Sequence, residues 1–113
     1  MADKQFNVES KAGTIEIPTS DTVSTGTETP ININGLIKHV ILTSDNMEGS
    51  DSTKLELVTK DDVSYLDTGT IAESTTTTFG TEVFVRDDDK IVVTAEGTQS
   101  AARDISYVIR YST

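Results

Sequence analysis

Apolar and polar residues alternate one by one through most of the chain from Gly35 to Thr113, in short runs separated by clusters of Gly, Asp, Ser and Thr. The clearest run closes the sequence, where Ile105, Tyr107, Ile109 and Tyr111 fall on one parity and Asp104, Ser106, Arg110 and Ser112 on the other. Successive side chains of a strand point to opposite faces, so a period of two predicts a half-buried strand over Arg103–Ser112. The same criterion predicts strands over Leu36–Thr43, Thr53–Lys60, Val63–Asp67, Thr70–Thr76, Thr81–Arg86 and Lys90–Glu96. Leu55 and Leu57 oppose Lys54, Glu56 and Lys60, and Ile91 and Val93 oppose Val92 and Thr94, so each run offers one core-facing row. Turn chemistry falls between the runs, at Asp67-Thr68-Gly69, Asp87-Asp88-Asp89 and Glu96-Gly97-Thr98. The stretch Leu36–Leu42 departs from strict alternation. It is apolar on both parities apart from Lys38 and His39, which predicts a central strand or one whose outer face meets a partner.

Residues 1–34 differ in character. Phe6-Asn7-Val8 and Thr14-Ile15-Glu16-Ile17 alternate briefly, with Lys11-Ala12-Gly13 as a hairpin turn between them. Pro18 ends the second piece or confines it to a sheet edge, because proline cannot donate to a ladder. From Thr19 to Pro30 the sequence is polar and of low complexity, which reads as a long loop or arm. Ile15, Ile17, Ile31 and Ile33 flank that arm and offer apolar anchors for a partner that orders it. The expected organisation is an N-terminal arm, or short hairpin plus polar loop, over 1–34, and a β-sandwich body over 35–113. The fold class is all-β: a single antiparallel β-sandwich, jelly-roll-like, of about eight strands, with an extended N-terminal arm.

Composition narrows the function. A chain of 113 residues suits one domain with one modest core. Aromatic residues make up 5% and Trp is absent, so burial falls to Ile, Val and Leu, which suit sheet packing. A net charge of −10 opposes contact with phosphate backbones and anionic lipid, so neither nucleic acid nor membrane is an expected partner. Without cysteine there are no disulfides and no thiolate metal sites, and stability must come from the core or from assembly. The start Met-Ala-Asp-Lys-Gln has no apolar signal region, so synthesis in the cytoplasm is expected.

Candidate chemistry is sparse. His39 is the sole histidine, so a His-dependent triad or a multi-His metal site would have to be built around this one residue, and mid-strand it reads as a structural or interface residue. Asp61, Asp62, Asp87, Asp88 and Asp89 all fall in expected turns, where solvation keeps carboxylates ordinary, whereas glycosidase pairs need one acid in an apolar or like-charged cleft. The acids at Asp87–Asp89, or Asp45, Glu48 and Asp51, could supply oxygens to calcium, but neither set has EF-hand spacing, and solvated turns that guard strand edges are the simpler reading. No GxGxxG or GxxxxGK[ST] loop occurs. No catalytic residue, cofactor or metal is therefore expected, and the chain reads as a non-enzyme.

The order Gly35-Leu36-Ile37-Lys38-His39-Val40-Ile41-Leu42-Thr43, then Lys54-Leu55-Glu56-Leu57-Val58, then Tyr65-Leu66-Asp67-Thr68-Gly69-Thr70-Ile71-Ala72-Glu73-Ser74-Thr75-Thr76, closing on Val108-Ile109-Arg110-Tyr111, resembles small tailed-bacteriophage head decoration (capsid cement) proteins. The resemblance covers residues 35–113 and rests on strand rhythm. Ser44-Asp45 stands where that pattern has a proline after the opening strand. It implies a β-sandwich on the outer surface of an assembled capsid, contacting the major capsid protein, often as a homo-oligomer, with a trimer at local three-fold positions the simplest form. A tail, neck or adaptor component of the virion fits the same rhythm, and a carbohydrate- or receptor-binding sandwich is the alternative of another class. The residues expected to meet a partner are Ile15, Ile17, Ile31, Ile33, Leu36, Lys38 and His39.

Overall fold

A computed structural model describes residues 8–23 and 31–113. Phe6, Asn7 and positions 24–30 of the polar arm lie outside the described residues. Among those described, the strands are β1 (Val8–Ile17), β2 (Gly35–Thr43), β3 (Thr53–Val58), β4 (Ser64–Asp67), β5 (Thr76–Val85), β6 (Lys90–Ala95) and β7 (Arg103–Ser112). They form two antiparallel sheets, ordered β1-β7-β2-β5 and β4-β3-β6. Val23 makes an isolated antiparallel bridge to Thr94 of β6, supplying a vestigial fourth position to the smaller sheet. With it the sheets read β1-β7-β2-β5 and Val23-β6-β3-β4, the paired four-position order of a jelly roll. The fold is the all-β antiparallel sandwich expected from the period-two pattern.

The core is the sum of the inward parities. In β7, Ile105, Tyr107 and Ile109 are buried; in β3, Leu55 and Leu57; in β6, Ile91, Val93 and Ala95. The mixed pattern of β2 has a specific cause. A register shift between Ile37 and His39, seen against both β5 and β7, changes the inward parity: Lys38 is an extra residue relative to β7, whereas on the other side Thr81 and Glu82 of β5 both fall opposite it. Ile37, Val40 and Leu42 therefore point inward although 37 and 40 differ in parity, and Leu36 and Ile41 are left partly exposed outside.

Three expectations are corrected. Lys11-Ala12-Gly13 is no turn: β1 runs unbroken, paired with β7 from Val8↔Ser112 to Ile17↔Arg103. Gly13 lies opposite Tyr107, and a Cβ there would sit 2.5 Å from the tyrosine oxygen, so the glycine makes room for a buried ring rather than for a bend. Residues 70–75 are no strand either. They form an irregular connection in which Ile71 exchanges two backbone hydrogen bonds with Thr53, at 2.7 and 3.1 Å. The expected pieces Thr70–Thr76 and Thr81–Arg86 give way to one strand, β5, because Thr77, Phe79, Thr81, Val83 and Val85 keep a single parity across Gly80. Finally, Asp89 is not a solvated turn acid. It is 4% exposed, and its carboxylate accepts hydrogen bonds from the Tyr65 hydroxyl (2.6 Å) and the Arg86 N–H (3.0 Å), closing the β5–β6 turn.

The segment at 31–34 joins the sandwich as well. Ile31 N–H donates to the Asp89 carbonyl (2.8 Å) and Asn32 N–H to that of Asp87 (3.0 Å), which seats Ile31 and Ile33 in the core beside the β5–β6 turn. Among the described residues, the sequence boundary at 34 thus marks no change of structural unit: β1 and residues 31–33 pack into the same core as the body.

Candidate interaction surface

The outward parity of the four-stranded sheet builds a face whose rows run across the strands. Register puts Val8, Ser112, Leu36 and Phe84 in one row; Ser10, Arg110, His39 and Gly80 in the next; then Ala12, Val108, Ile41 and Thr78; then Thr14, Ser106, Thr43 and Thr76. The last row is a ladder of hydroxyls, with Thr43 and Thr76 oxygens 2.9 Å apart and those of Thr14 and Ser106 at 3.5 Å. Beyond it Glu16 lies opposite Asp104. The face therefore runs from an apolar end, past the Arg110 guanidinium, to carboxylates.

The apolar end is the site where burial is most incomplete. Phe84 is 77% exposed, Val8 62% and Val63, in the neighbouring β3–β4 turn, 58%. Leu36 lies between Val8 and Phe84, and a shallow cleft is lined by Val8, Leu36, Lys38 and Ser112. A second hollow beside it, lined by Thr59, Tyr65, Phe84, Arg86 and Asp89, opens at the seam between β4 and β5. At its floor the Tyr65 hydroxyl is committed to Asp89. Burial, then that hydrogen bond, then the carboxylate charge hold the Tyr65 pKa far above the ordinary phenol range, so the ring stays neutral. Lys38 is tethered by Glu82 at 3.3 Å. Among the described residues, no group of three or more His, Asp or Glu side chains is placed to hold a metal ion.

The residues anticipated from sequence separate into two sets. Leu36, Lys38 and His39 lie on this face, brought together by the β2 irregularity. Ile15, Ile17, Ile31 and Ile33 are at most 1% exposed and pack the core of the chain itself. Phe84, Val8 and Arg110 were missed. Phe84 shares its parity with Glu82 and Arg86 within the expected strand Thr81–Arg86, which is the signal that turns it outward.

No family model and no curated protein sequence matches this chain. Solved structures do. A chain of the cyanophage Pam1 capsid asymmetric unit is 16% identical with a TM-score of 0.63, over 99% of this chain and 91% of that one. A chain from Bacillus endospore appendages, described as a novel family of disulfide-linked pili, is 13% identical with a TM-score of 0.56, over 99% and 94%. A chain of the acid-stable capsid of Helicobacter pylori bacteriophage KHP30 is 10% identical with a TM-score of 0.50, over 95% and 93%. At these identities the likeness establishes the shared sandwich fold over nearly the whole chain.

Proposed function

We propose that this protein is a structural component of a phage virion that docks on the outer surface of the assembled capsid, against the major capsid protein, and cements it without catalysis. The observation that carries this reading is the apolar end, where Phe84 stands 77% exposed beside Leu36 and Val8 on an otherwise complete sandwich. A lone exposed apolar side chain is ordinary, but a row of them, interrupted only by Ser112 and rimmed by polar residues, marks a contact surface. Similarity of the whole chain to two phage capsid structures supports the reading. Likeness to the pilus chain does not extend to its chemistry, since a chain without cysteine forms no disulfide links.

The mechanism is mass action. A ligand that binds only the assembled lattice lowers the free energy of that state. Burying one Phe side chain contributes about 1.5–3 kcal/mol, a modest amount per copy that many copies multiply. The experiment uses purified shells with and without this protein, heated side by side. Shells carrying it should disassemble at higher temperature, and Phe84→Ser should abolish both binding and protection while the soluble fold is retained. Shells indifferent to its presence, or undiminished binding by Phe84→Ser, would remove the cementing role or the assigned contact, respectively.

A further inference from the structure

The outer sheet face carries opposite charge at two levels, and the acidic one is internally unfavourable. Glu16 lies directly opposite Asp104, and the Asp45 carboxylate joins them by accepting the Asp104 N–H at 3.3 Å. Like charges facing one another across a ladder destabilise it. At the other level Arg110 lies opposite His39, beside Lys38, whose ammonium is already paired with Glu82, so the Arg110 guanidinium is the cation left for a partner. Among the described residues Glu16, Asp104 and Arg110 form no ion pair, although five other ion pairs occur. Between the two levels lie only the apolar and hydroxyl rows, built largely of small side chains.

We propose that a second copy of this chain docks face to face on this sheet, about a two-fold axis running across the strands, so that Arg110 of each copy lies over Asp104 of the other. The axis passes between the apolar row and the hydroxyl row. It places each strand antiparallel over its own counterpart, and the same operation sets His39 over Asp45 and lays Val108 and Ile41 against the hydroxyl row. Each contact occurs twice, as an isologous interface requires, and the acidic and cationic levels become mutually neutralising. Sheets pack face to face at about 10 Å, a separation that small outer side chains permit. Four strands over seven residues make a patch of roughly 400 Å² per copy, at the small end of protein interfaces, so the dimer is weak and forms at high concentration. The apolar ends then point away from each other, leaving a bivalent unit. The dimer does not depend on the capsid reading, since it concerns the chain alone.

Sedimentation velocity of the full-length protein over a wide concentration range tests this, with circular dichroism verifying the fold of every variant. Wild type should shift from monomer to dimer as concentration rises. Arg110→Asp and Asp104→Arg, each alone, should weaken association at least tenfold, and the two combined should restore it, because the swap re-creates the pair across the axis. A wild type that stays monomeric throughout, a trimer, a dimer indifferent to both single changes, or a double variant as dissociated as the singles would each overturn the proposal.

Discussion

Replacing Ile15 by Ala asks whether β1 is part of the sandwich in the free chain or an arm that only a partner orders. Ile15 is 0% exposed and pairs in register with Ile105, itself 0% exposed. The substitution removes three carbons, worth about 2.4 kcal/mol at roughly 0.8 kcal/mol per buried group. The cavity left between the sheets raises the cost to about 3–4 kcal/mol. Against a total stability of about 6–17 kcal/mol for 113 residues, the loss is large. The control is Thr14→Ala, one residue away on the exposed face, whose hydroxyl makes only a 3.5 Å contact with Ser106. It should cost less than about 0.5 kcal/mol. Urea unfolding of the isolated protein, followed by circular dichroism, measures both, and an unchanged slope would show that the extent of unfolding is preserved. If Ile15→Ala and Thr14→Ala proved equally mild, β1 would not belong to the core of the free chain, and a partner-ordered arm would be the better description.

Gly13→Ala should destabilise by about 1–3 kcal/mol, since the new Cβ meets Tyr107 at 2.5 Å, whereas Gly80→Ala, whose nearest neighbour is His39 at 4.0 Å, should be neutral or stabilising; equal melting shifts for the two would contradict the packing at Gly13. Asp89→Ala strips the acceptor from Tyr65 and from the Arg86 N–H and should cost about 2–3 kcal/mol in the same urea assay; a cost below 0.5 would mean that the β5–β6 turn closes without it. Alkaline pH probes the same pair. The folded-state pKa of Tyr65 lies above its unfolded value of about 10, so its contribution is complete below that pH and is lost as pH rises toward the folded value. Thermal stability above pH ~10 should therefore fall more steeply for wild type than for Tyr65→Phe, and parallel curves would refute the coupling.

Legibility followed the locality of the cause. β7 could be read directly because its alternation is unbroken, and β3 and β6 because one parity is plainly apolar. β1 was divided because Lys11-Ala12-Gly13 has the composition of a turn, and only the Tyr107 ring across the ladder explains a glycine in mid-strand. The expected pieces Thr70–Thr76 and Thr81–Arg86 left residues 77–80 unassigned, although they belong to the single strand β5. Of the surface, Leu36, Lys38 and His39 stood out by their break in pattern, while Phe84 looked like one more core aromatic. The four isoleucines near the arm were legible as buried positions but not as to what buries them, because a periodic pattern gives the side facing away from water and not the identity of the neighbour.

The sequence by itself determined that this chain is an antiparallel β-sandwich of jelly-roll type, because period two and turn chemistry are properties of neighbouring residues. Tertiary structure decided which strands lie side by side, and with that everything specific to the surface. The order β1-β7-β2-β5 joins residues about a hundred positions apart into single rows, and the irregularity at Lys38 turns a run that is apolar on both parities into one core row and one outer row. It also buries Ile15, Ile17, Ile31 and Ile33 within the chain while leaving Phe84 in water. Strand formation is local, but register is a long-range choice made by whichever pairing buries the most apolar surface, and a face exists only once that choice is made.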